Sequence, residues 1–507
     1  MNELVNIIPY PVNVKYVDGY FTLLNEIFIQ FDEDFIKAAN YLKNFAKNYL
    51  NLTLEFSHSS SKHDKMIQII LSDEGVPPEG YLLVIKSDSI QIRAKTSKGA
   101  FYGIQSLIQL LISGSKIPCV SIIDYPRFSW RGFMLDEARH FFGIREVKKL
   151  LDIMALYKFN IFHWHLTDDQ GWRIEIDQFP LLNEISSKRK GTSKGSRKLI
   201  ADLDGGDKKI NGIPVSGLYT KSQIKEIIRY ANERFITVIP EVDFPGHVQA
   251  VLAAYPELSC TGGPFEVSVK FGVHKDVLCI GKEKVLNFSK KIFQEIMSLF
   301  PSKIIHAGGD EVPVRRYKNC PDCQALLKRE HLNDEKQLQP YFTDKIARFF
   351  NENDRILMGW NEILDDELPE NVISQFWAGD FNNTLEHLKK GRKTVMSDMR
   401  FVYLNYPYKL TPISQTYNYE PIPKILAHDY HVNILGVEAC LWSEYVPDAK
   451  TLEHQVFPRL IAVSETGWTL KENKSFDSFE YRLPFTLKIL EKMKINYAKS
   501  NNFEIQY

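Results

Sequence analysis

KIIHAGGDE, residues 303–311, is a short apolar run that stops in two carboxyl groups. Seven more runs share the design: GFMLDEAR (132–139), NIFHWHLTDD (160–169), ITVIPEVD (236–243), RILMGWNE (355–362), VISQFWAGD (372–380), KTVMSD (393–398) and ILGVEACLWSE (434–444). Such near-continuous apolar stretches suit strands that are covered on both faces. Between them lie helical patterns, among them REVKKLLDIMALYKF (145–159), TKSQIKEIIRYANERF (220–235), EKVLNFSKKIFQEIMSLF (283–300) and YFTDKIARFFNEN (341–353). Eight buried strands alternating with helices from residue 130 onward predict an α/β chain built as a (β/α)8 TIM barrel. The runs finish in Asp, Glu or Arg. In a barrel of this type those carboxyl ends share one rim, where the active site lies.

The upstream sequence has another rhythm. DEDFIKAANYLKNFAKNYL (32–50) is an amphipathic helix, KMIQIIL (65–71) a buried strand, YLLVIK (81–86) and IQIRAK (90–95) a hairpin across SDS, and SKGAFYGIQSLIQLLI (97–112) a second helix. The pattern predicts a small α+β supporting domain over 1–125, a junction at DYPRF (124–128), and the catalytic barrel over 126–507. An insert over roughly 170–218 separates the second strand from its helix. It carries SSKRKGTSKGSRK, with six basic residues, and reads as a solvated mobile loop rather than an anion contact.

Composition narrows the function classes. Lys+Arg and Asp+Glu are both 63 in 507 residues, so the net charge is zero, which argues against a nucleic-acid binder. No apolar run is long enough to span a membrane. The chain opens MNELVNIIPYPVNV, without a basic stretch and long apolar core, so no secretory signal is read. Six cysteines are too few for a disulfide scaffold. Cys320 and Cys323 form a CxxC, but no second CxxC follows and His331 alone does not complete four zinc ligands. A local disulfide or two free thiols is the expectation there, and no metal is expected.

The strand ends carry the chemistry. Two adjacent carboxyl groups, Asp310 and Glu311, leave a buried strand after Gly308 and Gly309, which is costly unless they are bonded or used. Crowding and partial burial raise one pKa of such a pair, as a general acid needs. Asp243 and His247 sit four apart across Pro245-Gly246, so a turn brings both to the rim. HWHLTDD offers His163, His165, Asp168 and Asp169, with the two histidines facing the same way. Trp360, Trp377 and Trp442 end three strands and together form a cage for an apolar group on a polar ligand, with Glu362, Asp380 and Glu444 nearby.

RGFMLDEARH, HWHLTDDQGWR, PEVDFPGH, HAGGDE, GWNE and EACLWSE, in this order over 131–444, closely resemble glycoside hydrolase family 20, the β-N-acetylhexosaminidases. The leading α+β domain resembles the one that precedes the barrel in that family. The resemblance implies exo-hydrolysis of terminal β-linked GlcNAc or GalNAc, retaining and assisted by the substrate's own acetamido group. It implies Glu311 as general acid and then base, and Asp310 as the group that orients the acetamido. Arg139 would bind O3 and O4, Trp360, Trp377 and Trp442 enclose the N-acetyl methyl and the ring, Tyr403 bond the acetamido carbonyl, and Glu444 hold an outer hydroxyl. Asp168, Asp243, His247, His306 and His165 would form a supporting polar shell. The family commonly has Asp where this chain has Asn405, facing O4 and O6 of the sugar. No cofactor is implied. The partner is a carbohydrate substrate, self-assembly stays open, and the compartment implied is outside the cytoplasm, periplasmic or secreted.

Two rivals fit less well. A metal-dependent amidohydrolase would use His163 and His165 as an HxH pair, but expects it on strand one, with histidines on strands five and six. Here those strands end in Trp360 and Trp377. A sugar-binding barrel that has lost catalysis would lack the acid, and Glu311 is present.

Overall fold

The computed structural model describes residues 5–24, 26–57, 65–73, 75–112, 114–193 and 210–499. Eight parallel strands close into a barrel: β1 (Trp130–Asp136), β2 (Ile161–His165), β3 (Thr237–Glu241), β4 (Ile304–His306), β5 (Ile356–Trp360), β6 (Ile373–Phe376), β7 (Thr394–Met396) and β8 (Ile434–Leu441). Each strand pairs with its neighbour in sequence, and β8 pairs with β1 to seal the cylinder. All eight coincide with the apolar runs read from the sequence, because strands walled by helices outside and packed side chains inside have no polar face to show. The lower interior is filled by Trp130, Ile161, Ile239, Met358, Ile373 and Val395.

The preceding chain folds as a seven-stranded mixed sheet flanked by the helices Ile36–Phe45 and Ser97–Ile112. The hairpin Tyr81–Ile85/Ser89–Ala94 and the strand Met66–Leu71 lie where the sequence places them. Four strands had no sequence reading: Asn13–Thr22, Glu26–Phe31, Thr53–Phe56 and Lys116–Asp124.

The sheet meets the barrel through a buried ion pair. Lys158 Nζ, on the turn after the first barrel helix, bonds Asp124 Oδ2 at 2.8 Å, and neither side chain touches solvent. Tyr81 Oη donates to the same oxygen at 2.6 Å and the Trp468 indole N–H donates to Oδ1 at 2.9 Å. Desolvation pulls the Lys158 pKa down, and the attraction of Asp124 opposes it.

The described ends of the insert depart from the solvated loop expected from its composition. They form two short ribbons, Thr167–Asp168 with Gly171–Trp172 and Lys188–Arg189 with Val215–Ser216, and Arg173 and Arg189 are buried against backbone carbonyls. The remainder of the basic run, from Lys194, lies outside the described residues.

Replacing Lys158 by Met leaves Asp124 buried without its counter-charge. The expected cost is about 3–5 kcal/mol in a denaturant titration, partly recovered by adding Asp124→Asn. A loss below about 1 kcal/mol would show that this pair does not hold the junction.

Candidate active site

The site grows from a carboxylate that the sequence reading passed over. Glu241 ends β3 with no solvent exposure. The Trp360 indole N–H donates to its Oε1 at 2.8 Å, and His306 Nδ1 lies 3.0 Å from the same oxygen. His163 Nε2 lies 3.1 Å from Oε2, which His165 Nδ1 also bonds. Burial alone would raise this carboxyl, yet the three imidazoles outweigh it and hold it well below the usual range. His163 continues to Glu438 on β8 at 2.7 Å, where the Trp130 and Gln375 side chains also donate. Burial opposes charge on His163, but Glu438 and Glu241 raise it to about 9.

His165 carries the network to the rim. Its Nε2 lies 3.0 Å from Asp168 Oδ2, which also receives Arg139 at 2.8 Å. Asp136 Oδ2 and Gln170 fix the rest of the guanidinium, which lies 4.9 Å from the centre of the Trp442 ring. Despite desolvation, Arg139 and His247 hold Asp168 well below its ordinary value.

Asp310 and Glu311 stand at the end of β4. The approach is so tight that a Cβ on Gly308 would come within 1.9 Å of Asp243 Oδ1, and Gly308 and Gly309 both have positive φ. Gly309 N donates to that same Asp243 oxygen at 2.8 Å. His247 spans both sides of the site. Its Nδ1 lies 3.0 Å from Asp169 and 3.3 Å from Asp168, and its Nε2 3.8 Å from Asp310 and 3.5 Å from Glu311. Burial disfavours its charge, yet Asp168, Asp169 and Glu311 hold the imidazole well above 6.5.

The carboxyl groups partition unequally. Desolvation, then the charge of Asp310, pushes Asp243 well above its usual range. Asp310 is raised by desolvation and by Glu311, while His247 and a bond from Asp243 pull it back. Of the two, Asp243 is the carboxyl pushed up further. The Asp310 side chain is 11% exposed and that of Glu311 37%, so one lies deep and the other at the mouth.

Arg139, Asp310, Glu311, Trp377, Tyr403, Trp442 and Glu444 line one pocket, completed by Met399 and Tyr406. Trp377 and Tyr403 are nearly parallel, 6.2 Å apart, and Trp442 stands 6.1 Å from Tyr403. Trp360 is fully buried and forms the layer beneath, 5.6 Å from Trp442. Glu362 sits at the edge, accepting from the Trp377 indole at 2.9 Å.

Three expectations change. Asp380 is exposed and bonds Asn382 instead of facing the pocket. Asn405 is buried beside Tyr406, outside the lining residues, and its Oδ1 has no hydrogen-bond partner among the described residues. Cys320 and Cys323 are not an isolated pair, since Cys260 and Cys279 lie against them. Sequence reasoning missed Glu241, Glu438, Met399 and Tyr406. Only Glu241 left a signal, as a charge at a strand end in PEVD.

A family model described as "Glycosyl hydrolase family 20, catalytic domain" matches residues 128–471, and one for domain 2 of the same family matches residues 4–125. A beta-hexosaminidase of Porphyromonas gingivalis is 36% identical over 97% of this chain and 64% of its own length. The chain thus spans just under two thirds of that relative. A beta-hexosaminidase of Akkermansia muciniphila is 34% identical over 82% of this chain and 85% of its own. The solved structure of the GH20 exo-β-N-acetylglucosaminidase from Vibrio harveyi, in complex with N-acetylglucosamine, matches with a TM-score of 0.87. That match has 28% identity and covers 98% of this chain and 79% of the other.

A histidine whose folded pKa is raised stabilises fully below its unfolded pKa and loses that contribution as pH climbs through the folded one. The stability difference between the native protein and His247→Gln is therefore expected to be largest near pH 6. Above about pH 6.5 it should narrow by up to about 1.4 kcal/mol per pH unit. A difference independent of pH between 6 and 9 would mean that His247 is neutral in the fold.

Proposed function

The chain belongs to glycosyl hydrolase family 20, and from that premise we propose that it removes terminal β-linked N-acetylhexosamine from glycans by a retaining, substrate-assisted route. The observation that carries the reading is the pairing of Asp310 and Glu311 at the end of β4, one deep against the aromatic wall and the other at the mouth.

The sugar enters with its 2-acetamido group toward Trp377, Tyr403 and Trp442, which enclose the methyl. Asp310, beside Asp243 at the end of the pocket, accepts the amide N–H and turns the carbonyl oxygen toward C1. Tyr403 donates to that oxygen. Arg139 and Glu444 take the ring hydroxyls, with Arg139 held in place by Asp168 and Asp136. The acetamido oxygen then attacks C1 as Glu311 protonates the departing oxygen, and a bicyclic oxazolinium forms. Glu311 next takes a proton from water, which opens the ring at C1 with net retention. No enzyme nucleophile is needed. An intramolecular one, held in a fixed pose, brings an effective molarity on the order of 10⁵ M or more. His247 lies within 4 Å of both carboxyl groups and tempers the charge they build up. Glycans of this kind place the protein outside the cytoplasm.

Aryl β-N-acetylglucosaminide or galactosaminide should be hydrolysed and the corresponding plain β-glucoside should not, since only the former carries the nucleophile. In Glu311→Gln, kcat should fall about 10²–10⁴-fold on substrates with poor leaving groups and much less on activated aryl glycosides. Comparable turnover of the plain glucoside would contradict the assisted route, and equal losses on both leaving groups would take the acid role from Glu311.

A further inference from the structure

Four of the six cysteines meet at one point beside the site just described. Cys260 and Cys279 lie in the connection that follows β3, and Cys320 and Cys323 in the one that follows β4. Their sulfur atoms all fall within 4.8 Å of one another, and Cys279, Cys320 and Cys323 are buried. Cys279 Sγ is 3.4 Å from Cys320 and 3.6 Å from Cys323, and Cys260 Sγ is 3.9 Å from Cys323. Four sulfurs held by zinc–thiolate bonds of about 2.3 Å lie about 3.8 Å apart along each edge of the tetrahedron. The three separations bracket that edge. A disulfide joins sulfurs two by two, whereas here Cys279 and Cys323 each approach two partners.

The backbone supports a bound centre. Cys320 precedes the helix Pro321–Arg329 as its N-cap, so the CxxC presents two sulfurs from one turn. The turn Cys279–Gly281 packs so tightly on it that a Cβ on Gly281 would stand 2.3 Å from Cys323 N. Cys279 N bonds Leu258 O at 2.8 Å, which ties the two single cysteines together. A cation borders the cluster: Lys282 donates to Ser259 O at 2.6 Å, next to Cys260. Its charge offsets part of the net negative charge that four thiolates leave around a divalent ion.

We propose that Cys260, Cys279, Cys320 and Cys323 bind one structural Zn²⁺ that staples the β3 and β4 loops to each other. Soft thiolates with no open position suit zinc in a closed, non-catalytic role. The centre lies one hydrogen bond from the catalytic turn, since Leu278 N donates to Pro245 O at 3.1 Å, two residues before His247. Its other half follows Asp310 and Glu311 by about one short loop. The ion would thus position the two segments whose carboxyl groups and imidazole must register, without touching substrate.

Tag-free protein, purified under reducing conditions and dialysed against metal-free buffer, is expected to hold about one zinc per chain by elemental analysis. The four thiols should resist alkylation by iodoacetamide until the protein is unfolded in chelator. Cys320→Ser combined with Cys323→Ser should lose the zinc and unfold at a lower temperature, while Cys119→Ser, away from the cluster, keeps it. Should the double variant not fold, the native stoichiometry and thiol protection decide alone. Metal-free protein that takes up no zinc in titration after reduction, iron in place of zinc, or disulfides among these four in peptide mass mapping would each overturn the proposal.

Discussion

A carboxylate sealed inside a barrel must be matched by positive or donating groups, because no water is there to solvate it. Glu241 is that carboxylate, and the order of the rim follows from how it is matched. Three imidazoles and one indole converge on it. Each partner is thereby turned so that its far side meets the next group. His165 points at Asp168, Asp168 holds Arg139, and Trp360 is fixed beneath Trp442. The pocket residues that would touch a sugar are thus oriented by groups that never do, and the orientation is set before any ligand arrives.

The same network sorts the protons. Against desolvation, Arg139 pulls Asp168 down and Asp168 pushes His247 up, while burial and the charge of Asp310 push Asp243 up. Adjacent carboxyl groups cannot all ionise in a small desolvated space, so one takes the proton and the next keeps its charge. Asp310 lies deep in the pocket, where an amide N–H would need an acceptor. Glu311 lies at the mouth, where a leaving group would depart.

Much of this was legible because of what a barrel demands of sequence. Strands buried on both faces have to be apolar along their length, so all eight announce themselves, and Asp310-Glu311 stands out as a charge such a strand would not carry without use. The edge strand Asn13–Thr22 did not, since most of its residues face solvent and it shows no alternation. Glu241 looked like one more strand-end charge, because its weight depends on His163, His165, His306 and Trp360, which three other strands deliver. Met399 opens the four-residue helix Met399–Val402 after β7 and Tyr406 lies in the turn behind it, a stretch too short for periodicity to mark a direction. The cysteines show the limit most plainly. Spacing rules read near neighbours, whereas Cys279 meets Cys320 across 41 positions and Cys260 meets Cys323 across 63.

The central claim is that the substrate's acetamido oxygen, presented by Asp310, is the nucleophile. Its most direct test is the rate on aryl β-glycosides whose N-acetyl group carries none, one, two or three fluorines. Fluorine drains the carbonyl oxygen of electron density while changing the size of the group little. The account predicts that kcat/KM falls steeply and steadily with each fluorine, while the native order of aryl leaving groups is kept. A rate that hardly changes across the series would contradict it, and would require a nucleophile other than the acetamido group.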